Sequence, residues 1–211
     1  GQNWYYMNAS GNPSTGWLEL SGKKYYLEAD GHMITGWKTL DGGWRYFDAS
    51  GEQATGWRAV DGSWYFMADN GLMQTGWLET GGKKYYLNAS GAMQAGWQNL
   101  NGSWYYFDGS GAMTTGWQAV GGKWYYMNES GVMQTGWLDL GGKKYYLDVS
   151  GVMYAGTMFV MDGNTWEAAA DGSCTVVLPE ENVAENGGST AGQTPTTGSQ
   201  SPAQPSGPAG V

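Results

Sequence analysis

Tryptophan is the residue with which this sequence can do chemistry. Gly-Trp pairs stand at Gly16/Trp17, Gly36/Trp37, Gly56/Trp57, Gly76/Trp77, Gly96/Trp97, Gly116/Trp117 and Gly136/Trp137, each twenty residues after the last. A second tryptophan follows seven residues later as Trp44, Trp64, Trp104 and Trp124, and a methionine usually precedes the next pair. At the boundary between two units these groups can converge, as in Trp117, Trp124, Met133 and Trp137. A box of indole faces and a thioether suits a quaternary ammonium. That cation cannot donate a hydrogen bond and is held by cation–π attraction and methyl packing, at about 0.5 to 2 kcal/mol per contact. One such site is weak, and several on one rod gain by avidity on a polymer that repeats the ligand. The competing reading makes these indoles plain core.

Variation at one position bears on that choice. The place of the second tryptophan is taken by Lys24, Lys84 and Lys144 at intervals of sixty. A position that accepts lysine is at least partly solvated, so the row is not wholly core. Other chemistry is poorly represented. With one histidine, His32, and one cysteine, Cys174, the chain offers no disulfide, zinc cluster or Cys/His pair. His32 reads as a solvated loop residue and Cys174 as a small core filler. Asp48, Asp108, Asp148 and Glu28 fall in connectors, where turn formation explains them. No enzyme activity, cofactor or metal is expected. The net charge of −9 argues against nucleic acid, which would call for clustered lysine and arginine. No segment approaches the roughly 20 apolar residues of a membrane span, so no membrane insertion is expected.

The elements that must position these side chains are β-hairpins. Ser21-Gly22, Asp41-Gly42, Asp61-Gly62, Gly81-Gly82, Asn101-Gly102, Gly121-Gly122 and Gly141-Gly142 each separate two short aromatic or apolar runs. These pairs specify type I′ turns, whose two central residues need positive φ. Strict repetition predicts an all-β fold, a β-solenoid of stacked β-hairpins with about 20 residues per repeat. Residues ending the second strand cycle through Leu27, Phe47, Met67, Leu87, Phe107, Met127 and Leu147. That sixty-residue period reads either as three repeats per superhelical turn or as a three-repeat duplication. Alternation points this row inward together with Tyr25, Tyr65, Tyr85, Tyr105, Tyr125 and Tyr145, with Arg45 as the exception.

The chain divides accordingly. Residues 1–15 form a truncated repeat with Pro13 in the place of the connector methionine, and residues 16–155 hold seven repeats. Residues 156–181 read as a degenerate capping repeat, in which Gly156-Thr157 replaces Gly-Trp. Residues 182–211, rich in Gly, Ser, Thr and Pro, read as a linker or tail. Because the first residues fall in mid-repeat, the sequence reads as a fragment of something longer.

From Trp4 to about Gly172 the pattern GW, x-Gly turn, WYY or KYY, then SG-x-M-x-T-GW resembles the cell wall-binding, or choline-binding, repeat family of Gram-positive surface proteins. The resemblance implies a left-handed solenoid, extracellular at the bacterial cell surface, with choline residues of teichoic acids held in aromatic cages between hairpins. It implies full cages at Trp57/Trp64/Met73/Trp77, Trp97/Trp104/Met113/Trp117 and Trp117/Trp124/Met133/Trp137, and one at Trp37/Trp44/Trp57 with Gln53 in the methionine's place. Junctions holding Lys24, Lys84 and Lys144 are expected not to bind choline, since an ammonium repels a cationic ligand. Similar repeats with the spelling KKYY resemble those of clostridial toxins and glucan-binding enzymes, so a glycan is the alternative partner. A structural or self-associating rod, forming homo-oligomers, is the third.

Overall fold

The computed structural model describes residues 3–178, and every regular element in it is a β-strand. The expected tail at residues 182–211 lies outside the described residues. The chain forms two compact units, Gly1–Thr114 and Thr115–Val211. In the first, five hairpins follow one another: Gly16–Leu20 with Lys23–Leu27, Gly36–Leu40 with Gly43–Phe47, Gly56–Val60 with Ser63–Met67, Gly76–Thr80 with Lys83–Leu87, and Gly96–Leu100 with Ser103–Phe107. The second unit holds Gly116–Val120 with Lys123–Met127 and Gly136–Leu140 with Lys143–Leu147, then a different ending. There Thr157–Met161, Asn164–Ala168 and Cys174–Val176 extend the last hairpin into a five-stranded sheet, with Cys174 paired to Lys144. Cys174 is buried, as a small core filler should be.

The turns explain why each hairpin closes in one register. Asn101 has φ 54° and Gly102 φ 86°, the two positive values that a type I′ turn demands. Its twist matches that of the flanking strands, so Leu100 faces Ser103 and the ladder runs back to Gly96 opposite Phe107. Since successive side chains alternate faces, one row of the second strand is committed to the interior. Phe47, Met67, Leu87, Phe107, Met127 and Leu147 are fully buried there, and Leu27 nearly so.

Connectors are built twice over. Within its own repeat the chain makes an Asx turn: Asp108 Oδ1 accepts from the backbone N–H of Ser110 at 2.8 Å, the Ser110 hydroxyl at 2.6 Å and the Ala112 N–H at 3.0 Å. Turn formation therefore accounts for Asp48, Asp108 and Asp148. The connector also ties to the preceding hairpin, because its methionine N–H donates to the carbonyl of the second-strand residue twenty-nine positions back. Met73 to Trp44, Met93 to Trp64 and Met113 to Lys84 do this at 2.7 to 2.8 Å, and Met153 to Trp124 at 2.9 Å. The Met73, Met93 and Met153 side chains then run across Gly91, Gly111 and Gly172 in the following connectors. A Cβ at Gly91 would collide with the Met73 sulfur, and Gly91 has φ 82°. Only glycine fits that position without strain.

The last Asx turn carries a pH dependence. The Ser173 hydroxyl and backbone N–H, together with Lys143 Nζ at 3.1 Å, hold the Asp171 carboxyl down to about 2, from 3.8. A depressed folded-state pKa contributes stability above the unfolded value, and that stability is lost as pH falls from about 4 toward 2. Asp171→Asn keeps the turn geometry, as Asn88 and Asn128 do in their repeats. The variant is expected to flatten this acid limb of the melting-temperature curve for the C-terminal sheet. An unchanged acid limb would refute the assignment.

Candidate functional site

The cavity at Trp57 shows how the repeat builds a site. Trp57 lies on the first strand of its hairpin directly opposite Phe66, and Trp64 lies on the second strand opposite Ala59. The small Ala59 leaves room beside Trp64, which is 48% exposed. The Trp57 ring meets Phe66 at 5.2 Å and Tyr85 of the next hairpin at 4.9 Å, both edge-on. The space between them, about 300 Å³, is lined by Trp57, Trp64, Tyr85, Met93, Gly109 and Ser110. Three π faces and a thioether thus surround an open volume that no charged side chain lines. Its chemistry is that of an aromatic cage, attractive to a cation that sheds little water.

The same positions recur. Trp37 meets Trp44 at 6.4 Å and Tyr65 at 4.8 Å, while Met73 is tied to Trp44. Trp97 meets Trp104 at 6.3 Å. In the second unit Trp117 meets Tyr145 at 4.9 Å, with Met153 tied to Trp124. A cavity of about 470 Å³ at Trp4, Tyr25, Met33, Ala49 and Ser50 repeats the Trp64, Tyr85, Met93, Gly109 and Ser110 lining sixty residues earlier.

The structure assembles the expected residues differently from the expected sets. Trp57 and Trp64 do come together, but Met73 and Trp77 do not line their cavity. Met73 belongs to the Trp37/Trp44 junction, and Trp77 packs on Tyr86, Tyr105 and Phe107. Likewise Met113 is tied to Lys84 rather than to Trp104, and Met133 crosses Gly151. Of the set Trp97/Trp104/Met113/Trp117, Trp97 and Trp104 meet in the first unit and Trp117 belongs to the second. Trp137 packs on Tyr146, Phe159 and Trp166. The backbone bond described above is the reason: each connector returns to the hairpin before it, so its methionine serves the earlier junction. The cage residues that sequence reasoning missed are Tyr65, Tyr85 and Tyr145, with Met93 and Met153. Their row was read as interior, whereas these rings close the cage as its third wall.

Lysine-bearing junctions keep the platform and lose the second indole. Trp17, Trp77 and Trp137 are all exposed beyond a third of their surface, and each tilts onto a phenylalanine: Phe47 at 6.1 Å, Phe107 at 5.8 Å and Phe159 at 5.9 Å. His32, expected as a solvated loop residue, contacts Asp30 through Nδ1 at 2.5 Å. Among the described residues no group of three or more His, Cys, Asp or Glu could hold a metal ion.

An aromatic hairpin repeat with cages between successive units defines a class of ligand-binding solenoid. The chain belongs to the choline-binding repeat family, whose model matches residues 14–55, 34–75, 54–95, 94–134 and 114–159, and a putative cell wall binding repeat matches residues 1–12. Among solved structures it is similar to CbpJ from Streptococcus pneumoniae, with 37% identity and a TM-score of 0.73, over 81% of this chain and 61% of that one. Choline binding protein F from Streptococcus pneumoniae gives 38% identity and a TM-score of 0.71, over 81% and 61%. The choline-binding domain of CbpL from the same species gives 26% identity and a TM-score of 0.56, over 77% and 87%. This chain therefore spans about three fifths of CbpJ and of choline binding protein F. Comparison with curated protein sequences finds no match.

Proposed function

We propose that the chain is a non-catalytic, extracellular module that attaches to the bacterial cell surface by holding choline residues of teichoic acids in its aromatic cages. The observation that carries this reading is the cavity at Trp57, Trp64, Tyr85 and Met93, whose walls offer π faces and methyl-sized apolar contacts without a charge to repel the cation. Membership of the choline-binding repeat family and likeness to CbpJ and choline binding protein F support it. A single cage contributing a few cation–π contacts binds in the millimolar range, about −4 kcal/mol. Recurrence of the cage along one chain supplies avidity for a polymer with many choline groups. The test is a choline titration followed by tryptophan fluorescence, with glucose oligomers titrated in parallel. Saturation by millimolar choline supports the reading, and a flat choline curve rejects it.

A second reading attaches to the lysine-bearing junctions. At Trp77, 47% exposed and 5.0 Å from Tyr105, an open indole stands beside the position of Lys84. A sugar ring can stack on such a platform while lysine donates to its hydroxyls. Saturation by glucose oligomers that is lost in Lys84→Trp would establish it.

A further inference from the structure

The junction at Trp17 is the same cavity as that at Trp57 with its walls exchanged. Moving forty residues back along the chain, Trp57 becomes Trp17, Trp64 becomes Lys24, Tyr85 becomes Arg45, Met93 becomes Gln53 and Ser110 becomes Asn70. All five positions, four of them with a different residue, line one cavity of about 440 Å³, together with Leu18, Glu19 and Asp41. Three of the four cage positions have thus departed from the pattern together. Arg45 and Gln53 depart from their rows at this cavity, whereas lysine at the Lys24 position recurs as Lys84 and Lys144.

Against the indole of this cavity stands a cation belonging to the chain. Arg45 Cζ stands 5.1 Å from the centroid of the Trp17 ring, inside the roughly 6 Å over which an indole face attracts a cation. Arg45 Nη1 donates to the Asn70 carbonyl, and Nη2 to Asp41 Oδ2 at 3.5 Å. Gln53 Nε2 donates to the same Asn70 carbonyl at 3.4 Å. Arg45 is only 7% exposed and Gln53 8%, so both lie inside the protein, while Trp17 and Asp41 reach the surface. Burying a guanidinium is costly, and here Nε has no partner among the described residues. The indole, a carboxylate and a backbone carbonyl offset that cost.

We propose that Arg45 is an internal cation that takes the Trp17 indole face, and that Arg45, Lys24 and Gln53 together specify this junction as closed to a cationic ligand. A quaternary ammonium entering there would have to displace a buried guanidinium from the indole and then face the Lys24 ammonium. The same three positions, restored to the residues of the open cages, define what an additional binding site requires. This inference rests on the choline reading above, but its test is a difference between two proteins.

The experiment is calorimetric titration of choline chloride into the full chain and into the variant Lys24→Trp/Arg45→Tyr/Gln53→Met, with the fold checked by circular dichroism. The variant is expected to bind one more choline per chain than the parent. A folded variant with unchanged stoichiometry overturns the proposal. Lys24→Trp alone, a surface change that leaves the interior untouched, supplies a second arm and is expected to add no site, because Arg45 still holds the Trp17 face. A gain from Lys24→Trp alone overturns the proposal even if the triple variant does not fold. A parent chain silent to choline rejects the functional reading instead, and the comparison of variant with parent still decides the role of Arg45.

Discussion

Trp64→Ala is expected to weaken one cage selectively while leaving the fold intact. Trp64 is half exposed and supplies one of the three aromatic walls at Trp57, so its loss removes about 0.5 to 2 kcal/mol of cation–π attraction, a roughly 2- to 30-fold loss of affinity at that cage. About half of Trp64 already lies in solvent, so its truncation costs less than the roughly 3 to 5 kcal/mol of a core aromatic. Titration calorimetry with choline therefore sees fewer equivalents bound in the low-millimolar phase, and the melting curve moves less than it does for a core truncation. Trp64→Phe, which keeps a π face, retains most of the affinity. Met73→Ala is the informative contrast. If the junctions are built as the structure has them, Met73→Ala disturbs the Trp37/Trp44 cage and spares the Trp57/Trp64 cage. Equal damage to the Trp57/Trp64 cage would restore the grouping expected from sequence spacing alone.

The largest effect on stability is expected from Phe107→Ala. Phe107 is fully buried, ends the second strand of its hairpin opposite Gly96, and lies 5.8 Å from the Trp77 ring. Truncating a phenylalanine in such a place costs about 3 to 5 kcal/mol, because the lost burial is joined by the cavity left behind. In a domain of this size the thermal midpoint falls by roughly ten degrees. Neighbouring hairpins share interfaces in a stacked array, so the damage spreads to the units that pack on Phe107 before it reaches distant ones. Phe107→Leu, which takes the residue found at the equivalent positions Leu87 and Leu147, should recover most of the loss. A Phe107→Ala midpoint within a degree or two of the parent would show that the inward row does not carry the stability assigned to it.

The elements were legible because their signals are local. An x-Gly pair between aromatic runs specifies a type I′ turn, and the observed φ values at Ser21, Asp41, Asp61 and Asn101 are those such a turn needs. Alternation likewise placed Phe47, Met67 and their equivalents in the interior, where they are. The grouping of residues into cages was not legible in the same way. Whether a connector methionine serves the hairpin before it or after it is decided by one long-range hydrogen bond, such as Met93 N–H to the Trp64 carbonyl, and twenty-residue spacing allows either choice. The third wall was missed for a related reason. Period-two alternation places Tyr65 and Tyr85 on the side of the core row, and it does not distinguish a ring buried in its own hairpin from one that reaches the preceding indole. One clue was present in the sequence. Arg45 and Gln53 both depart from their rows, and tying them to the junction that holds Lys24 would have identified them as partners of Trp17.

Arg45 also shows how such an array can be tuned. The scaffold requires glycines at the turns and an apolar row inside, and these recur with little change. The cage positions face a cavity and are freer to vary, so an open cage can become one whose indole carries an internal cation without altering the hairpin that holds it. The register at Lys38 opposite Arg45 is the same as that at Arg58 opposite Tyr65. Ligand capacity is then a property of side chains at a handful of positions, superimposed on a uniform backbone.

The most direct test of the central claim is a crystal structure of the chain grown in saturating choline. The account predicts a trimethylammonium group within about 6 Å of the ring centroids of Trp57, Trp64 and Tyr85, beside the Met93 thioether, and none at Trp17. Well-ordered cages empty of choline at saturation, or choline seated on Trp17 with Arg45 displaced, would contradict it.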